Sequence, residues 1–323
     1  MKKEVVIGID IGGTFTKYGI VTKDGKCLKD DFIQTNTYTD FDAYLENLHA
    51  TIENTCTSIE EEIEIKGVGI GAPNGNFYTG TIEQAPNLKW KGIVPVVEKM
   101  KKYFSGIPIV LTNDANAAAI GEMIYGGAKG MKDFIVITLG TGLGSGIVSN
   151  GKLIYGHDGF AGELGHVNVK INGRQCGCGK KGCLETYVSA TGIKRTVFRL
   201  LCEMNIDSEL RNISYNDLDA KMISEAAKKG DPIALEAFEY TGKILGVKLA
   251  DAIEHTSPEA IFLLGGLAKA GDLLLKPTKK YMEENLLPVF KNKVKLLLSS
   301  LQEATAGIMG AAALAWNEIN NNK

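Results

Sequence analysis

The chain has no apolar run long enough to cross a bilayer, no surplus of one charge, and only 6 cysteines and 4 histidines among 323 residues. The first apolar segment, Val5–Ile9, is broken by Asp10. It is far short of the about 20 residues that a spanning helix needs, and too short for the core of a signal peptide. The chain therefore reads as cytoplasmic, with no membrane partner. A net charge of −2 gives no electrostatic reason to expect nucleic acid, which usually leaves a basic patch. Scarce cysteine argues against a disulfide framework. Cys27, Cys56 and Cys202 are scattered, whereas Cys176, Cys178 and Cys183 crowd into one loop.

That loop holds the most specific signal in the sequence. Glu163-Leu164-Gly165-His166 is followed by Cys176-Gly177-Cys178-Gly179-Lys180-Lys181-Gly182-Cys183-Leu184-Glu185. Three cysteines and His166 make a complete tetrahedral zinc set with no position left open, so the metal is expected to be structural. Three unconnected thiols and an unrelated histidine are the alternative. His166 can give one ring nitrogen to the metal and a hydrogen bond from the other. Glu163 and Glu185 flank the cluster, an arrangement suited to a polar, uncharged ligand such as a sugar.

At 323 residues the chain can form two domains. Val5–Asp10 reads as a strand, Ile11-Gly12-Gly13-Thr14 as a turn, and Tyr18–Thr22 as the returning strand. Phe41, Tyr44, Leu45, Leu48 and Ile52 recur at helical spacing. Further along, strand Phe134–Leu139, a Gly/Thr turn and strand Gly146–Ser149 repeat the opening plan. Residues 19–26 read GIVTKDGK and residues 146–152 read GIVSNGK. This weak repeat points to two domains of one design, although any hairpin with a glycine turn looks similar. The junctions are expected near Asn113 and Leu301, giving one domain of residues 1–112 plus about 301–323 and another of 113–300.

Two glycine turns can approach phosphates. Gly12, Gly13 and Thr14 follow a strand that ends in Asp10, which could hold magnesium through water, but a Gly-Gly-Thr turn is also a common hairpin. Thr138–Gly146 interleaves four glycines with hydroxyl residues, Thr141 and Gly142 at its centre. No Gly-Lys-Ser/Thr follows, so it is not a Walker loop. A strand comes next, which argues against a dinucleotide fingerprint. Gly265-Gly266 ends a later strand and could admit a nucleotide base. Asn113-Asp114 stands where a strand meets a helix; Asp114 could accept a hydroxyl proton, or could simply cap the helix.

In these landmarks the chain resembles the ROK family of repressors, open-reading-frame proteins and sugar kinases, from Asp10 to the C-terminal helix. The Glu163-x-Gly-His166 and Cys176-x-Cys178-Gly179-x-x-Gly182-Cys183-x-Glu185 motifs carry most of the likeness. The resemblance implies an α/β fold of the actin/hexokinase (ribonuclease H-like) type, two duplicated domains with a central cleft. It implies an ATP-dependent kinase for the 6-hydroxyl of a hexose, foremost glucose, working as a homo-oligomer, dimer or tetramer. Asp114 would be the catalytic base, with Asn74, Asn113, Glu163, His166 and Glu185 on the sugar. Asp10, Gly12, Gly13, Thr14, Thr141 and Gly142 would hold ATP phosphates and Mg2+, with Gly265 and Gly266 at the adenosine. His166, Cys176, Cys178 and Cys183 would bind Zn2+. Other sugars (mannose, fructose, an N-acetylhexosamine, a β-glucoside) are the alternative substrates. A sugar-responsive repressor is disfavoured because the phosphate turn begins at Asp10, leaving no room for a helix-turn-helix segment ahead of it. Two positions depart from the family pattern. Phe15, with Lys17 after it, stands where many members have lysine directly after Gly-Gly-Thr, and Asn74 replaces a glycine and is expected to bring an amide toward the sugar.

Overall fold

The computed structural model describes residues 2–302 and 304–321. The chain opens with β1 (Lys3–Ile11), β2 (Phe15–Thr22) and β3 (Cys27–Gln34), an antiparallel meander. β1 is buried on both faces, and its alternation sorts its residues. Val5, Ile7 and Ile9 join Tyr44, Leu45, Leu48 and Ile52 of α1 (Phe41–Thr57), whose first turn is capped by Asp40. The expected helical stripe is therefore the packed face. β3 is an edge strand, and its exposed Lys29, Asp30 and Asp31 suit that place.

β4 (Ile63–Ala72) lies parallel to β1. A small sheet of β5 (Gly75–Asn76), β6 (Thr81–Glu83) and β7 (Ile93–Val94) follows, then α2 (Val96–Met100). β8 (Ile109–Asn113) pairs parallel with β4 and runs directly into α3 (Asp114–Ile124). The first large sheet has the order β3-β2-β1-β4-β8.

The second large sheet repeats it. β9 (Phe134–Leu139), β10 (Leu143–Ser149), β11 (Lys152–Leu153), β12 (Ala260–Leu264) and β13 (Lys295–Leu298) take the order β11-β10-β9-β12-β13. β9 and β10 are antiparallel, while β12 runs parallel to both β9 and β13. The two stretches that look alike in sequence fall in β2 and β10, the second strand of each sheet, so the repeat reflects a duplicated fold. Between β11 and β12 come the cysteine loop, α4 (Ala190–Glu203), α5 (Ala220–Lys228) and α6 (Pro232–Thr256). α6 starts on an Asp231 cap with proline in its first turn. α7 (Asp272–Asn285) packs along α6, and one apolar core joins the sheet to these helices. α8 (Ala306–Asn321) ends the described chain. Among the described residues, no helix is long and apolar enough to cross a membrane.

Contacts divide the chain into one unit of Met1–Gly130, Leu153–Ala161 and Ser300–Lys323 and another of Met131–Lys152 and Gly162–Ser299. These bounds differ from those expected at 112/113. α3 stays with the first unit because its small residues pack on α8, where Ile120 meets Ala313 and Leu314. Leu153 joins that cluster, and the Asn76 side chain donates to the Asp158 carbonyl at 2.8 Å, which places Leu153–Ala161 in the first unit as well.

Candidate active site

The β1–β2 turn is tight: Gly12 N–H donates to the Phe15 carbonyl at 3.0 Å, and the Thr14 carbonyl accepts from Thr35 N–H at 2.8 Å. The Thr14 side chain is exposed. Val6, Gly8 and Asp10 share the β1 face that meets α8. This brings Asp10 to the first turn of α8, so close that a Cβ on Gly307 would lie 2.1 Å from Asp10 Oδ2. Only glycine leaves that carboxylate its place. Burial, then the charge of Asp114, lifts the Asp10 pKa to about 6 against the pull of Lys17. Lys17 is Asp10's partner across the β1–β2 ladder.

At the end of β8 the two readings of Asn113-Asp114 separate. Asn113 is the N-cap of α3, its Oδ1 accepting from Ala115 N–H at 2.8 Å. Asp114 is the first helical residue, and its Oδ1 accepts from the same N–H at 2.9 Å. The Asp114 N–H itself also donates to the carboxylate, so its donors are backbone amides. Asp114 reaches solvent yet is densely surrounded by protein; this burial raises its pKa, and the backbone donor at Ala115 opposes the shift.

Asn74 departs from expectation. Its φ is 51°, a left-handed conformation, and its Nδ2 donates to the carbonyls of Glu83 at 2.9 Å and Gln84 at 3.4 Å. Asparagine tolerates this geometry better than most residues, so it takes over the backbone role of the usual glycine. The amide nitrogen pins its own hairpin and is not left for a ligand. Next to it, Asn76 Nδ2 and Thr81 Oγ1 both donate to Glu83 Oε1, a polar knot without any sequence signal.

In the second unit the glycine loop is shorter than its composition indicates. β9 runs to Leu139 and β10 begins at Leu143, leaving Gly140–Gly142 as the turn. Gly140 N–H bonds to the Gly142 carbonyl, Leu143 N–H to Glu185 Oε2 and Gly144 N–H to Thr138 Oγ1. These amides already have partners, so the exposed tip at Thr141 is what faces outward. Gly265, at φ 108°, lies so near β9 that a Cβ there would be 2.6 Å from the Leu139 carbonyl. The structure thus brings the Gly265-Gly266 turn beside the glycine loop.

The ligand atoms of His166, Cys176, Cys178 and Cys183 all lie within 4.8 Å of one another. Cys178 Sγ is 3.7 Å from Cys183 Sγ, and Cys176 Sγ is 3.7 Å from His166 Nδ1. Tetrahedral zinc with bonds of about 2.3 Å spaces its sulfurs by about 3.8 Å, so the donor set fits such an ion. The other ring nitrogen, Nε2, is turned to Glu163 Oε2 at 4.0 Å. Glu185 Oε1 lies 3.0 Å from Cys176 Sγ and 4.0 Å from His166 Nδ1. Glu163, His166 and Glu185 are thus grouped as the sequence suggests. Arg174 of this loop and Thr191 in the first turn of α4 tie the cysteine loop and the glycine loop to that helix, and single polar residues of this kind leave no periodic signal in the sequence.

The ROK family model matches residues 6–318. The chain is 35% identical over 321 residues to a glucokinase from Halalkalibacterium halodurans, covering 98% of this chain and 96% of that one. It is similar to a solved ROK family glucokinase from Streptomyces griseus in complex with glucose and AMPPNP, with a TM-score of 0.82 and 34% identity over 97% of this chain and 99% of that one. It is also similar to a ROK family transcriptional regulator, a homolog of the E. coli MLC protein, with a TM-score of 0.86 and 27% identity over 98% of this chain and 78% of that one. The fold is the actin/hexokinase type, in agreement with the duplicated sheets. From the match over residues 6–318, the chain belongs to the ROK family.

Proposed function

We propose that this protein is an ATP-dependent hexose kinase that phosphorylates the 6-hydroxyl of its sugar, with glucose as the leading substrate. The observation that carries this reading is the capping of α3 by Asn113, which leaves the Asp114 carboxylate with backbone donors and a raised pKa. The likeness to glucokinases over nearly the whole chain supports glucose.

In this reading Asp114 accepts the proton of the 6-hydroxyl as the hydroxyl oxygen attacks the γ-phosphorus in line, and the bond from that phosphorus to the β–γ bridging oxygen breaks, so that ADP leaves. Asn113 offers its amide Nδ2 to a sugar hydroxyl, because its Oδ1 is committed to the cap. Glu163, His166 Nε2 and Glu185 bind further hydroxyls. Gly12, Gly13, Thr14, Thr141 and Gly142 hold phosphates, and Gly265-Gly266 takes the adenosine. Asp10 would hold Mg2+, which when bound neutralises phosphate charge. The cysteine loop would hold Zn2+ as a structural ion that fixes Glu163, His166 and Glu185. Any contact of Asn74 with the sugar would fall to Oδ1 or its backbone, since Nδ2 is held by the hairpin.

A coupled ADP-release assay over glucose, mannose, fructose, N-acetylated hexosamines and β-glucosides tests the proposal. Glucose should give the highest kcat/KM; another sugar in first place would change the substrate, and no turnover with any of them would remove the kinase. The likeness to a transcriptional regulator makes a sugar-binding regulator the second reading. It predicts sugar affinity without ADP release.

Gly307→Ala tests Asp10. The added methyl would force Asp10 Oδ2, otherwise 2.1 Å from it, out of position. Displacement of a catalytic group by about 1 Å costs on the order of 10²-fold, so turnover should drop by about that factor. Extra Mg2+ should recover part of it if Asp10 serves the metal. Unchanged magnesium dependence would detach Asp10 from that role.

A further inference from the structure

The cysteine loop and the glycine loop are joined through the first turn of α4, and one side chain closes the joint. Arg174 sits inside the cysteine loop. Its Nη1 donates to the carbonyls of Thr186 at 2.8 Å and Gly192 at 3.0 Å, and its Nη2 to Thr196 Oγ1 at 3.0 Å. The guanidinium lies over the Tyr187 ring, 4.5 Å from its centre, and the Arg174 N–H donates to the Tyr187 hydroxyl at 3.0 Å. Among the described residues no carboxylate pairs with it. A fixed, five-donor fork without a counter-ion is suited to gripping carbonyls in a set geometry.

The carbonyls it grips bracket the bend from Glu185 to Gly192. Ser189 Oγ closes that bend, donating to the Glu185 carbonyl at 2.7 Å and accepting from Gly192 N–H at 3.0 Å. The next two residues hold the glycine loop: Ala190 N–H donates to the Gly140 carbonyl at 2.9 Å, and Thr191 Oγ1 donates to the Thr141 carbonyl. Arg195, one helical turn on, returns a bond to the cysteine loop at the Gln175 carbonyl, at 3.0 Å.

We infer that Arg174 is a positioning residue for nucleotide binding: it fixes the 185–192 bend, and the bend fixes the Gly140–Thr141 backbone that faces the phosphates. The inference rests on the kinase reading above. It assigns the cysteine loop a second task, on the nucleotide side, carried by backbone hydrogen bonds.

Arg174→Met keeps the aliphatic stem and removes the donors, and Arg174→Lys restores a charged donor group on a single nitrogen. In the metal-loaded protein, Arg174→Met should raise KM for ATP about tenfold. Glucose affinity, measured by calorimetry, should stay within about twofold, and bound zinc should stay stoichiometric. Arg174→Lys should recover much of the lost ATP affinity. Thr191→Val breaks the far end of the relay and should give the same one-sided change, which keeps the test open if Arg174→Met folds poorly. Equal rises in both KM values, loss of zinc, or unchanged KM for ATP in both variants would each overturn the inference. Calorimetry of wild type with AMPPNP and magnesium separates the two claims. A wild type that does not bind the nucleotide sinks the kinase reading and the inference with it. One that binds, beside variants that bind equally well, sinks the inference alone.

Discussion

Asp114→Asn should lower kcat by about 10³-fold while leaving sugar affinity nearly intact. A general base is worth about 10² to 10⁴ in rate, and tenfold corresponds to about 1.4 kcal/mol of barrier. The amide keeps the shape and can still accept the Ala115 N–H bond that Asp114 accepts at 2.9 Å, so α3 is not disturbed. Its capping is in any case done by Asn113. Stability should move the other way from activity. The Asp114 pKa is raised in the fold, so between 3.8 and that raised value the native state binds more proton than the unfolded chain. Stability from this group is complete below 3.8 and is lost as pH rises through the folded pKa. Asparagine cannot ionise, so at neutral pH the variant should melt at or above the wild-type temperature. Near-normal turnover in it would remove Asp114 from the base role.

The same shift sets the pH profile. The base must be ionised, so kcat/KM of the wild type should fall tenfold per pH unit on an acid limb centred above 3.8. Asp10 couples to it, because part of its rise to about 6 comes from the charge of Asp114. Without magnesium, wild-type stability should therefore decline as pH climbs from 3.8 toward 6. In Asp114→Asn that decline should end at a lower pH. A stability profile identical in the two proteins would show that the carboxylates do not sense each other.

The strands, the α1 stripe and the duplication could be read ahead of the structure because each obeys a periodic rule. β1 alternates, α1 repeats at helical spacing, and the two GIV stretches occupy equivalent strands. The cluster of His166, Cys176, Cys178 and Cys183 could be read because close cysteine spacing in one loop forces proximity. What escaped the sequence depends on single backbone geometries or on contacts between distant segments. Asn74 looks like a ligand-facing amide until its positive φ turns Nδ2 onto Glu83 and Gln84. The glycine run looks rich in free amides, but the β9–β10 ladder and Glu185 engage several of them. β5, β6 and β7 are too short to show a period. The return of Leu153–Ala161 to the first unit rests on Asn76 reaching Asp158, far along the chain.

Cys178→Ser should lose zinc and sugar affinity together. Cys178 is the exposed member of the set, so the substitution takes little from the core, unlike Cys176 or Cys183, which are buried. A serine hydroxyl is a poor substitute for a thiolate in a Cys₃His site, and the remaining donors cannot close a tetrahedron around the ion. Without it, His166 and Cys183 are no longer held to one point, and the segment from His166 to Cys183 is left to hydrogen bonds, such as the Asn168–Cys183 and Gln175–Lys181 bridges and the contacts of Arg174. Glu163 and Glu185 flank that segment, so their separation should loosen. Losing even an outer partner of a metal site costs about 10 to 100-fold, so KM for the sugar should rise by at least that range. The coupling to α4 through Arg174 predicts more: KM for ATP should rise as well, because the bend that grips Gly140 and Thr141 is anchored in the same loop. Metal analysis beside both KM values decides it. A zinc-free Cys178→Ser protein with wild-type KM for sugar and ATP would show that the cluster shapes neither side. One with only the sugar constant raised would keep the scaffold role of the metal and confine it to Glu163, His166 and Glu185.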